Sequence, residues 1–188
     1  MTVDDDIKRA VAVLHRGGII AYPTDTVWGL GCDATNAEAV GRLYELKRRS
    51  DAKAMITLVA DEAMLEATVD DIPDAARQII AVAVSPVTIV YDHPYGLAPN
   101  LLALDGSAGV RITSEAWSRG LCRALGHPVV STSANFSGEP TARCFAEIDP
   151  GLLAKVDYVA EYGRDGMQAK ASSVIKVDSH SRVTILRQ

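Results

Sequence analysis

The sequence predicts an α/β fold: one domain over residues 1–188, with a twisted, mixed parallel and antiparallel sheet and flanking helices. Three observations carry this. Short apolar runs alternate with segments of helical periodicity along most of the chain. The last two apolar runs are joined by the turn-forming Asp178-Ser179-His180-Ser181, which makes part of the sheet antiparallel. Apolar residues make up 48% of the 188, enough for a core that needs no metal or disulfide.

The elements follow in order. Val3, Ile7, Ala10, Val11 and Leu14 recur at helical spacing, and Gly17-Gly18 stops the pattern. Residues 19–22 read as a strand ended by Pro23, and residues 24–36, with Gly29 and Gly31, as loop or irregular strand. Thr35 and Glu38 have capping-box spacing for a helix marked by Val40, Leu43 and Leu46 and ending near Arg48. Residues 55–59 form a strand, 74–83 a helix and 87–91 a strand. The stretch 92–107, with its prolines and glycines, is loop with a short helical turn. Residues 109–113 are strand. Ser114 is placed to cap a helix over 115–125 that Gly126 terminates. Residues 129–132, 173–177 and 183–186 complete the strands.

Composition excludes several classes. The net charge is −5, which argues against a broad basic face for gripping nucleic acid but leaves room for a small basic pocket. Cys32, Cys122 and Cys144 are odd in number and widely spaced, as are the four histidines. That pattern fits reduced cytosolic thiols and neither a disulfide framework nor a zinc site. The N-terminus lacks an apolar signal region, and no apolar run approaches the roughly 18 residues that span a bilayer, so a cytoplasmic location without membrane contact is expected. No feature of the sequence encodes an oligomeric state.

Four polar clusters sit at strand or helix ends, where ligands gather in open α/β sheets. Tyr22-Pro23-Thr24-Asp25-Thr26 reads, taken alone, as a turn that satisfies its own backbone. Lys47-Arg48-Arg49, with Lys53 close by, reads either as cations complementing a helix C-terminus or as a phosphate clamp. Arg111, inside the apolar strand Gly109-Val110-Arg111-Ile112, requires a partner: a carboxylate within the fold, or an anionic ligand. Val129-Val130-Ser131-Thr132-Ser133-Ala134-Asn135 is either a hydroxyl-rich turn or a nest of short donors for phosphate or carboxylate oxygens. None of these is a Ser-His-Asp triad or a dinucleotide fingerprint.

Order and spacing say more than any one cluster. YPTDTVWGLGCDA, LKRR, GVRI, VSTSANFSG, SSVIKVD and the terminal ILR together resemble the YrdC/TsaC family of threonylcarbamoyl-AMP synthases, from about Gly18 to Arg187. The resemblance implies a YrdC-like sheet around a deep, basic cavity. It implies a nucleotidyltransferase that joins L-threonine, bicarbonate and ATP, with Mg2+, into L-threonylcarbamoyladenylate and pyrophosphate. A tRNA threonylcarbamoyl transferase complex then uses the adenylate to modify adenosine 37.

The site residues implied by the resemblance divide by substrate. Lys47 and Arg49 match the catalytic K-x-R pair on the ATP phosphates, joined by Lys53. Ser133, Asn135 and the late Arg187 belong to the nucleotide. Thr24, Arg111, Ser131, and Ser172 or Ser173, belong to threonine, with Arg111 on its carboxylate. The chain departs from the family pattern at Ser85-Pro86-Val87-Thr88, which lacks a preceding Pro-Gly, and at Ser50, where proline is common. Ending at the ILR strand, it reads as the minimal single-domain form. Two alternatives stand beside this reading. One is a YrdC-like RNA-binding module without catalysis, which the acidic charge limits to weak binding. The other is a carbamoyl-adenylate module of the hydrogenase-maturation type, whose additional acylphosphatase and zinc-finger regions this sequence lacks.

Overall fold

A computed structural model describes residues 2–48, 55–166 and 171–188. Helix α1 (Val3–Leu14) opens on a capping box: Thr2 accepts from the Asp5 backbone while the Asp5 carboxylate reaches back to Thr2. Gly17, at φ +72, ends it with a conformation that side chains resist. The chain then enters β1 (Ile20–Tyr22) and returns along β2 (Gly29–Gly31). Next come α2 (Ala37–Lys47), β3 (Ile56–Val59), α3 (Glu62–Glu66), α4 (Asp74–Val82) and β4 (Val87–Tyr91). They are followed by β5 (Ala108–Ile112), α5 (Ala116–Leu125), β6 (Val129–Ser133), α6 (Pro150–Leu153), β7 (Tyr158–Val159), β8 (Ser173–Val177) and β9 (Val183–Arg187).

The strands form one sheet in the order β7-β1-β2-β6-β3-β5-β4-β8-β9. Pairings β1–β7, β3–β5 and β4–β8 are parallel, and the others antiparallel, so the sheet is mixed as the sequence predicts. A large core gathers Leu14, Ile20, Leu43, Leu58, Trp117 and Val130. A smaller one, under α3 and α4, holds Leu65, Ala76, Ile89, Tyr91 and Val110. Asp6 knits the first core: its buried carboxylate accepts from Trp117 Nε1, the Tyr158 hydroxyl and the backbone of Glu161 and Tyr162.

Local differences from the sequence reading have simple causes. Residues 29–31, predicted loop or irregular strand, are strand β2, because glycine lets two backbones approach closely. A Cβ on Gly31 would lie 2.1 Å from the Val130 carbonyl oxygen and 2.8 Å from the Tyr22 ring. Gly31→Ala is therefore expected to cost about 3 kcal/mol or more, the upper end for overpacking, read as a lower urea midpoint at constant slope. Asn36, not Thr35, caps α2. The Thr35 hydroxyl instead donates to Asp33, and Asn36 Oδ1 accepts from the Glu38 and Ala39 backbone. Glu115, not Ser114, caps α5, which frees Ser114 for the site below. The bend before β4 brings the Pro86 carbonyl to the Ser173 amide, so the β4–β8 pairing starts at once without a Pro-Gly loop. Helices α3 and α6 and strand β7 are too short to carry a hydrophobic period, and the sequence does not announce them.

Candidate active site

The sheet surrounds a cavity of about 770 Å³, walled by residues of β2, β6, β3, β5, β4, β8 and β9 and of the loop before β5. Its floor is partly apolar, with Ile56, Val90 and Val174. Its polar wall includes Arg111, Ser131, Ser133, Ser172, Lys176 and Arg187.

Arg111 sits on β5, between β3 and β4 in the sheet. Its guanidinium is 3% exposed and lies 3.0 Å from the Asp25 carboxylate, itself 5% exposed. The second Asp25 oxygen accepts from the Ser114 amide and hydroxyl. Burial lowers the Arg111 pKa while Asp25 opposes the shift. An arginine stays charged under these conditions. Of the two readings of this arginine the structure shows the internal carboxylate, and the same side chain also forms part of the cavity wall.

The Tyr22-to-Thr26 cluster is the turn its composition indicates. Thr24 Oγ1 donates to the Val27 carbonyl and accepts from the Thr26 amide. With its proton committed there, Thr24 takes the Thr26 hydroxyl as donor, 3.0 Å away, and Arg111 donates to Thr26 at 3.3 Å. A hydrogen-bond chain thus runs from the guanidinium into the turn. Thr26 and Val27 reach the cavity wall, and Thr24 buttresses them from behind.

Ser131, Thr132 and Ser133 line the cavity from β6. Past the strand end, the Ala134 amide donates to the Trp28 carbonyl. The Asn135 side-chain amide donates to the Phe136 and Glu139 carbonyls, closing the loop, and lies off the wall. Lys47, the last residue of α2, is only 2% exposed, and its ammonium donates to the Ser133 carbonyl at 2.5 Å. Lys47 therefore lies directly behind a wall residue. Arg48 turns left-handed at φ 53 and lays its guanidinium over Phe136. Arg49 and Lys53 lie outside the described residues.

Of the two late serines, Ser172 lines the cavity and Ser173 does not. The Ser172 hydroxyl is 2.9 Å from that of Thr88, and its carbonyl accepts from Arg187 Nε and Nη2. A bulge places Arg187 opposite Val174 while Ile185 pairs with Ile175, leaving Leu186 as the extra residue. As a result Leu186 and Arg187 both reach the cavity. The Arg187 bonds named above go to a neutral carbonyl oxygen.

Lys176, Asp105, Ser107 and Thr26 line the cavity as well, and the sequence reading gives none of them a ligand role. Lys176 was legible in principle: Val174 and Lys176 are two apart on β8 and share a face. The thiols take no part in this site. Cys32, Cys122 and Cys144 are free, and burial pushes Cys122 up to about 12.

The arrangement defines an α/β protein with a strand-walled pocket that presents both apolar and cationic side chains. The chain belongs to the Sua5/YciO/YrdC family, whose model, described as "Telomere recombination", matches residues 12–188. It is 43% identical to the threonylcarbamoyl-AMP synthase of Xanthomonas euvesicatoria over 178 residues, 93% of this chain and 94% of that one. Among solved structures it is similar to E. coli YciO, with TM-score 0.82 and 25% identity over 97% of this chain and 88% of the other. P. abyssi Sua5 complexed with L-threonine shares the fold at TM-score 0.83 and 24% identity, covering 96% of this chain and 53% of that longer one.

Proposed function

We propose that the chain is an L-threonylcarbamoyladenylate synthase. The observation that carries the reading is the gathering of Arg111, Ser131, Ser133, Ser172 and Arg187 on one cavity wall, in a chain 43% identical to a named threonylcarbamoyl-AMP synthase. The threonine amine and carbon dioxide from bicarbonate form a carbamate. A carbamate oxygen bonds to the α-phosphorus of ATP, and the bond to pyrophosphate breaks. Nucleophile and electrophile are both anionic, so the cavity cations offset their repulsion and the charge growing on pyrophosphate. Arg111 and Ser131 take the threonine end, with Ser172 beside them and Thr24 supporting Thr26. Lys47, Arg49 and Lys53 serve the phosphates, and Ser133, Asn135 and Arg187 the nucleotide. The carbamate is already ionised, so no general base is required, and positioning does much of the work.

Asp105 is the one carboxylate on the cavity wall among the described residues, and it is engaged by Lys176 and Ser107. These residues do not make a protein magnesium site. Magnesium enters as Mg·ATP, held through the phosphates. A cytoplasmic location fits this role, and no described helix is long and apolar enough to cross a membrane. The product passes to the tRNA threonylcarbamoyl transferase complex, with RNA contact at most weak.

The test is pyrophosphate release by the purified protein given ATP, magnesium, bicarbonate and L-threonine. Release is expected only with threonine present, and a mass spectrum should show the threonylcarbamoyl adenylate. Release that ignores threonine, or none, overturns the proposal.

A further inference from the structure

The loop of residues 103–107 forms part of the cavity rim, and it is closed mainly on itself. The Ala103 amide donates to the Ser107 carbonyl, the Gly106 amide to the Ala103 carbonyl, and Asp105 Oδ1 accepts from the Ser107 amide and hydroxyl. At its tip Leu104 is 99% exposed although it lines the cavity. The other carboxylate oxygen of Asp105 takes Lys176 Nζ at 2.9 Å, and the same ammonium lies 3.2 Å from Asp92. Lys176 thus ties together β8, the end of β4 and the loop that leads into the Arg111 strand.

Each partner is partly exposed, at 30% for Lys176, 26% for Asp92 and 57% for Asp105. Ion pairs this wet contribute little to global stability. They matter where the alternative is local opening of a loop with few other anchors. The Asp105 carboxyl is held well below the usual range, first by the Ser107 hydroxyl and then by Lys176, so the pair is fully formed at neutral pH. Ser107, itself 3% exposed, is the buried anchor of the loop on the wall.

We propose that Lys176, through Asp105 and Asp92, is a positioning residue for ATP: it pins the 103–107 rim of the cavity that also holds Arg187, the nucleotide residue of the reading above, which pairs with Val174 two residues from Lys176 on β8. The proposal rests on the ATP-using activity above, and it predicts a loss of affinity in preference to a loss of chemistry. Lys176→Met and Asp105→Asn are each compared with wild type by hydrogen exchange without ligand and by steady-state kinetics. The amides of 103–107 are expected to exchange about tenfold faster with the melting temperature nearly unchanged. The KM for ATP should rise about fivefold or more with kcat within about twofold, and Lys176→Arg should restore both readouts. Unchanged exchange, faster exchange with an unchanged KM, or a kcat that falls with the melting temperature overturns it. A wild-type protein without ATP turnover sinks the activity instead, and the exchange comparison then decides the latch by itself.

Discussion

Arg111→Gln will lose threonine-dependent pyrophosphate release by at least about 10²-fold, the scale for removing a preorganised donor from an active site. It will also destabilise the fold by about 3–5 kcal/mol, because Asp25 is left as a buried charge without its partner. The two losses have different origins and can be separated. Replacing the pair together, Asp25→Asn with Arg111→Gln, removes the stranded charge and leaves neutral groups able to hydrogen-bond, with Ser114 still donating to residue 25. The double variant should regain most of the stability in a urea titration while remaining inactive. If it recovers activity along with stability, Arg111 serves only the scaffold, and the threonine carboxylate must be bound elsewhere.

That pair also shows how far the sequence can be read. A lone arginine in an apolar strand announces a need for a partner, and the alternatives of carboxylate or ligand were visible without coordinates. The identity of the carboxylate was not, because Asp25 lies in a turn 86 positions earlier and local composition explained that turn completely. The same holds for Thr24. The resemblance assigns Thr24 to threonine, and the structure shows its hydroxyl bonded within the turn, with Thr26 beside it at the cavity wall. Strands 87–91 and 173–177 were legible to the residue because β-branched residues dominate both, as an unbroken run over 87–90 and as Val174, Ile175 and Val177 in the second. The Leu186 bulge was not, since pairing register depends on the partner strand. What the sequence reports well is periodicity and the chemistry that must be satisfied. What it leaves out is which distant group satisfies it.

Lys47 is where that limit has the largest consequence for activity. The motif places it on the ATP phosphates. The geometry places its ammonium at 2.5 Å from the Ser133 carbonyl, buried behind the cavity wall. These two roles predict different results. Lys47→Met keeps the aliphatic stem that packs at the end of α2 but removes the charge. If the lysine supplies positive charge to the phosphates, kcat/KM should fall by about 10²–10³-fold. Stability should fall by only about 1–3 kcal/mol, the cost of leaving one carbonyl without its donor. Lys47→Arg separates charge from fit: a guanidinium keeps the charge but is broader than the buried ammonium it replaces. It is expected to recover part of the activity and less of the stability. If instead Lys47→Met loses stability and retains turnover per folded molecule, the lysine acts as a strut for the Ser133–Asn135 loop. The phosphate charge would then have to come from Arg187, which lines the cavity, and from Arg49 and Lys53, two and six positions after Lys47 in the sequence. Measuring turnover per folded molecule, by pairing initial rates with the folded fraction from a denaturant titration, decides between these outcomes.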